Sequence, residues 1–147
     1  MGTNNPLLAS TMGLSGSPGA SLRAFRDFCP NAQIYGADFD RNILFQDERI
    51  ATFFVDQTRR ATLRDLFNQL PEMDMIIDDG LHSPYANIQM LEFALQKIKV
   101  GGTIVVEDIG NASVPVWNVV QKLLPDRFKS TIVASCNNHI FVVKRLA

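Results

Sequence analysis

Two pairs of carboxylates, each closing an apolar run, are the residues whose spacing most readily does chemistry: Met75-Ile76-Ile77-Asp78-Asp79 and Ile104-Val105-Val106-Glu107-Asp108. Each run reads as a buried strand, and each pair falls where the strand leaves the core. In open α/β sheets ligands bind at the carboxyl ends of strands, so the four acids are expected to converge on one crevice. Crowded carboxylates disfavour one another's ionisation, and a divalent cation with oxygen ligands relieves that cost. His82, three residues after Asp79, adds a titratable base. Together these residues point to metal-assisted catalysis.

The elements that must position these residues follow from apolar periodicity, which changes in type along the chain as in βαβ proteins. Leu22, Phe25 and Cys29 recur at helical spacing after Ser17-Pro18-Gly19. Gln33–Asp38 reads as a strand and Ala51–Val55 as a second, ending at Asp56-Gln57. Leu63, Leu66, Phe67 and Leu70 mark a helix stopped by Pro71. Tyr85, Ile88, Leu91, Leu95 and Ile98 form the next stripe, with Ser83-Pro84 suited to a helix start. Gly101-Gly102 turns the chain into the second acidic-ended strand, and Val116, Val119, Val120, Leu123 and Leu124 make a last helix before Pro125. The chain closes on two strands, Thr131–Cys136 and His139–Lys144, whose short Asn137-Asn138 connection requires antiparallel pairing. Trp117, Met73, Met75 and Met90 follow the apolar stripes and are expected in the core. The expected fold is a mostly parallel α/β sheet with an antiparallel C-terminal strand pair, in a single domain spanning 1–147.

Composition narrows the function classes. At 147 residues, 46% hydrophobic and 20% charged, the chain has the make-up of a globular domain. A net charge of −1 gives no reason to expect a nucleic-acid or anionic-membrane partner. No apolar stretch reaches the roughly 18–20 residues that span a bilayer. Cys29 and Cys136 form no metal-spacing motif, and a reduced, cytoplasmic setting is the expectation. Residues Gly2 to Gly19 carry Gly2, Gly13, Gly16 and Gly19 among asparagines and serines, a loop whose amides can approach a ligand. It is not a phosphate loop of the Gly-Lys-Ser/Thr type, because the first lysine is Lys97. Asp38, ending the next strand, is placed to accept hydrogen bonds from ribose hydroxyls.

The glycine loop, Tyr35-Gly36-Ala37-Asp38, Asp56-Gln57 and the two acidic strand ends together resemble a class I S-adenosylmethionine-dependent methyltransferase, with its Rossmann-like fold. More narrowly, Ile76-Ile77-Asp78-Asp79-Gly80-Leu81-His82, Gly101–Asp108 and Ser21–Phe28 with Pro30-Asn31-Ala32 are similar to the metal-dependent macrolide-sugar O-methyltransferases of mycinamicin and macrocin type, and to the cephalosporin-hydroxylase group. The resemblance implies that Gly2 and the loop after it, Asn4 included, hold the methionine part of the cofactor, with Ser21 also a cofactor-binding position. It implies that Asp38 binds the ribose, Asp56 and Gln57 lie near the adenine, and Asp78 lines the cofactor side. Asp79, Glu107 and Asp108 would ligate Mg²⁺ and His82 would be the general base, the Gly80 turn folding it back over the metal. The implied activity is methyl transfer to a small hydroxylated acceptor, sugar or polyketide-like. Homo-oligomer formation is left open by the sequence. Family members enter the glycine loop from a central strand, here expected to be truncated, and the alternative reading is a non-catalytic methyltransferase-like binding module.

Overall fold

The computed structural model of the chain describes residues 1–7, 13 and 15–147, so part of the glycine-rich loop lies outside the described residues. The chain divides into two compact units, Met1–Thr62 and Leu63–Ala147.

In the first unit α1 (Ala20–Phe28) is followed by β1 (Ile34–Asp38), a short β2 (Gln46–Asp47) and β3 (Ile50–Phe54). β1 and β3 pair in parallel, Ile34 opposite Ile50 through Asp38 opposite Phe54, and β2 adds antiparallel to β3. Gly36 explains how closely α1 lies on the sheet: a Cβ there would fall 2.4 Å from Leu22 Cδ1. Arg49 turns the chain between β2 and β3 with φ 57°. Its guanidinium donates to the carbonyls of Arg26, in the last turn of α1, and of Cys29 and Ala32 just beyond it.

In the second unit α2 (Arg60–Gln69) leads to β4 (Met73–Asp78), α3 (Pro84–Lys97), β5 (Ile98–Ile109), α4 (Val114–Leu123), β6 (Phe128–Ala134) and β7 (His139–Arg145). The strand order is β4-β5-β7-β6, with β4 and β5 parallel across the α3 crossover. β7 pairs antiparallel with both β5 and β6. Helix-linked strands are thus parallel and the tightly linked terminal pair is antiparallel, as the connection lengths require. One face of this sheet, Ile104 and Val106 of β5 beside Val143 and Phe141 of β7, is wholly buried. Trp117 of α4 packs on Phe141 at 4.8 Å between ring centroids.

Some expectations are corrected. Ile98 opens β5 instead of closing α3, and Gly101 and Gly102 lie inside that strand, where a Cβ on Gly102 would meet Ile98 and the Asp74 carbonyl. Trp117 and Met90 are buried, whereas Met75 is exposed. On α4, Val116, Val119 and Leu123 face solvent and Trp117 supplies the contact, because one large ring fills the space that several valines were expected to share. No helix among the described residues is long and apolar enough to cross a membrane.

Candidate functional site

The acidic residues of the second unit gather because of register and a bulge. Asp78 pairs with Val106, so Asp79 emerges abreast of Glu107. Strict alternation would send Asp108 back to the helix-covered face. It does not go there: the ladder to β7 shifts between Val106 and Ile109, and Asp108 adopts φ 53°. A bulge of this kind re-aims a side chain, and here it exposes the carboxylate. His82 is also left-handed, at φ 50°. The turn that aims the histidine is thus made by His82's own left-handed backbone, two residues after Gly80. Of the three non-glycine residues with positive φ among the described residues, two are in this cluster, a concentration that suits functional sites.

His82 Nε2 lies 3.1 Å from Asp79 Oδ1 and 3.8 Å from Asp108 Oδ2. One potential ligand atom from each of Asp79, His82 and Asp108 lies within 4.8 Å of the others. Glu107 stands outside that trio. Burial, then the charges of Asp79 and Asp108, push its carboxyl above the usual range, against a smaller opposite pull from His82. Hard carboxylate oxygens of this kind suit Mg²⁺ or Mn²⁺. Asp78 is buried and accepts a 2.9 Å hydrogen bond from Asn87 of α3, which ties β4 to that helix. Next to Glu107 and Asp108, the β6–β7 turn lines a cavity of about 280 Å³ with Ser135, Cys136, Asn137 and Asn138.

The first unit carries the other expected positions. Asp38 Oδ1 accepts from the Asp40 amide at 3.0 Å. Asp40 is buried and bound by Thr3 Oγ1 at 2.8 Å and by Asn42, bonds that hold its carboxyl below the usual carboxylate range. Asp56 accepts from the Thr58 amide and hydroxyl and pairs with Arg59. A cavity of about 510 Å³ is lined by Asn5, Phe39, Asp40, Arg41, Phe54 and Asp56, among others. The Arg41 guanidinium stacks 3.5 Å above the Phe54 ring. Asn5, not Asn4, reaches this cavity. Gly2 has φ 72°, Asn4 and Ser21 are exposed and Gln57 is half-buried. Sequence reading missed Phe39, Arg41 and Phe54. The available signal was an aromatic residue at each strand end, Phe39 directly after β1 and Phe54 closing β3. It also missed Asn138, which it took only as a turn former.

No protein-family profile matches the chain. Curated relatives do. The chain is 34% identical over 98 residues to mycinamicin VI 2''-O-methyltransferase of Micromonospora griseorubida, covering 66% of this chain and 24% of that enzyme. It is 29% identical over 99 residues to 8-demethyl-8-alpha-L-rhamnosyl tetracenomycin-C 2'-O-methyltransferase of Streptomyces olivaceus, covering 67% of this chain and 26% of that enzyme. The chain thus spans about a quarter of the length of the curated relatives it matches. Among solved structures, the MycE methyltransferase in complex with Mg, SAH and mycinamycin VI superposes with a TM-score of 0.69 at 23% identity, covering 90% of this chain and 41% of that one. The fold is that of the S-adenosylmethionine-dependent methyltransferases. Within them, the sequence relatives are O-methyltransferases of macrolide and polyketide sugars.

Proposed function

We propose that this chain carries out magnesium-assisted, S-adenosylmethionine-dependent O-methylation of a small hydroxylated acceptor, of the sugar or polyketide-sugar kind on which its relatives act. The observation that carries the reading is the Asp79–His82–Asp108 trio, gathered within 4.8 Å by a bulge and two left-handed residues. Asp79 and Asp108, with Glu107 beside them, would hold Mg²⁺. Bound there, the cation lowers the pKa of an acceptor hydroxyl and orients it. His82 would accept the acceptor's hydroxyl proton, and a bound S-adenosylmethionine would supply the methyl group to that oxygen, leaving S-adenosylhomocysteine. In the first unit Asp38 takes the ribose hydroxyls, while the cavity flanked by Phe39, Arg41, Phe54 and Asp56 receives the adenine. The non-catalytic alternative is less well supported, since the sequence relatives are named as enzymes.

The test is S-adenosylhomocysteine release by the whole 147-residue chain, given S-adenosylmethionine, Mg²⁺ and a rhamnosylated polyketide or macrolide. Methyl transfer that stops on chelation and in His82→Ala, with S-adenosylmethionine binding retained, supports the reading. Turnover unchanged in His82→Ala removes the histidine from the mechanism.

A further inference from the structure

We propose that Asn138 is a positioning residue for the metal, holding Asp108 as a one-oxygen ligand and so favouring Mg²⁺ over larger cations. The inference rests on the metal reading above. Asn138 lies in the turn between β6 and β7, which the Ser135 amide closes on the Asn138 carbonyl at 2.8 Å. The pairing of Ile109 with His139 keeps that turn beside the bulge. From there Asn138 Nδ2 donates to Asp108 Oδ1 at 2.9 Å. The other oxygen, Oδ2, is the one that approaches His82 Nε2, at 3.8 Å.

The two carboxylate oxygens therefore have different tasks. Left-handed backbone lifts Asp108 out of the strand's alternation, and the amide fixes the rotation of its carboxylate. The amide competes with a cation for Oδ1, which disfavours ligation through both oxygens and leaves Oδ2 the better ligand atom. Mg²⁺ requires near-ideal octahedral geometry at short distances, which suits single-oxygen carboxylate ligands; Ca²⁺ accepts a carboxylate through both oxygens and tolerates irregular shells. Partners that orient a ligand from behind typically change metal affinity by about 10–100-fold when removed. The position is open enough for the polar turn to act this way, since Asp108 is exposed and Asn138 half-buried beside the smaller cavity.

The experiment is calorimetric titration of Mg²⁺, and separately of Ca²⁺, into the full chain, Asn138→Ala and Asn137→Ala. The expected result is a roughly tenfold loss of Mg²⁺ affinity in Asn138→Ala with a smaller loss for Ca²⁺, so that the preference between them narrows. Asn137→Ala, altering the same turn without touching Asp108, should keep both affinities. Equal Mg²⁺ affinity in Asn138→Ala, the same loss in Asn137→Ala, or parallel losses for both ions would overturn the assignment while leaving the metal reading standing. A parent chain that binds neither ion overturns the metal reading and this inference with it. Should Asn138→Ala fail to fold, Asn138→Ser carries the same measurement, because its shorter arm cannot span the contact yet still suits a turn.

Discussion

Replacing Asp108 by Asn should stabilise the metal-free protein and destabilise it, relative to the parent, once Mg²⁺ is added. The substitution is isosteric, and the new amide oxygen can still accept from Asn138. What it removes is repulsion between Asp79 and Asp108, whose ligand atoms lie within 4.8 Å. Both side chains are about half exposed, so a water-like dielectric is appropriate and the repulsion is ~0.9 kcal/mol before salt screening. Asn, like Asp, tolerates the φ of 53°, so the exchange adds no backbone strain. The weak 3.8 Å interaction with His82 is lost and subtracts from the gain. The net expectation is a stabilisation of about 0.3–0.8 kcal/mol, or about 1–3 °C in Tm for a chain of this size. Added Mg²⁺ raises the parent's Tm by mass action, by ~2.7 kcal/mol at a hundred times its dissociation constant, whereas the variant has lost an anionic ligand and gains less. Differential scanning calorimetry with chelator and then with saturating Mg²⁺ should therefore show the order of the two proteins reverse. Asp126→Asn, an exposed site away from the cluster, serves as the control and should show no reversal. If Asp108→Asn is less stable than the parent in chelator, or rises equally with Mg²⁺, the charge-crowding argument is wrong.

Other outcomes follow from the first unit. Asp40 has its carboxyl lowered first by the Thr3 hydroxyl, then by Asn42, so its contribution to stability is present above the ordinary carboxylate range and lost as pH falls through its depressed folded-state value. Thr3→Val removes the largest of those causes, and acid unfolding followed by circular dichroism should begin at a higher pH; an unmoved acid limb would show that Thr3 does not matter there. Gly36→Ala places a methyl 2.4 Å from Leu22 Cδ1 and should cost about 1–3 kcal/mol in urea unfolding, a neutral result meaning that α1 can shift freely. Arg41→Ala strips the guanidinium from the Phe54 face in the larger cavity. It should weaken S-adenosylmethionine binding about fivefold in titration calorimetry, and equal binding would place the adenine elsewhere.

Strand and helix positions were legible because burial imposes period: the apolar runs at Met75 and Ile104 had to be strands, and Pro71 and Pro125 had to follow helices. The site was legible only as a list of acids. Residue types at Asp78, Asp79, Glu107 and Asp108 could not reveal that one of the four is buried against Asn87, or that Glu107 stands apart from the trio while sharing its field. Those distinctions depend on a register shift of the kind that a period-2 reading of β5 cannot contain, since a bulge is a local exception to the alternation by which strands are recognised. His82 and Asp108 in left-handed backbone are hidden for the same reason: sequence rules assign positive φ to glycine, and Gly80 stood two residues from the position that takes it. Asn138 was invisible for a further reason. Its part depends on β7 lying beside β5, a pairing between segments some thirty residues apart in which neither residue's type names the other. The features that escaped are those in which backbone irregularity or long-range pairing aims a polar side chain. These are also the features that set Asp79 and Asp108, gathered with His82, apart from Asp78 and Glu107.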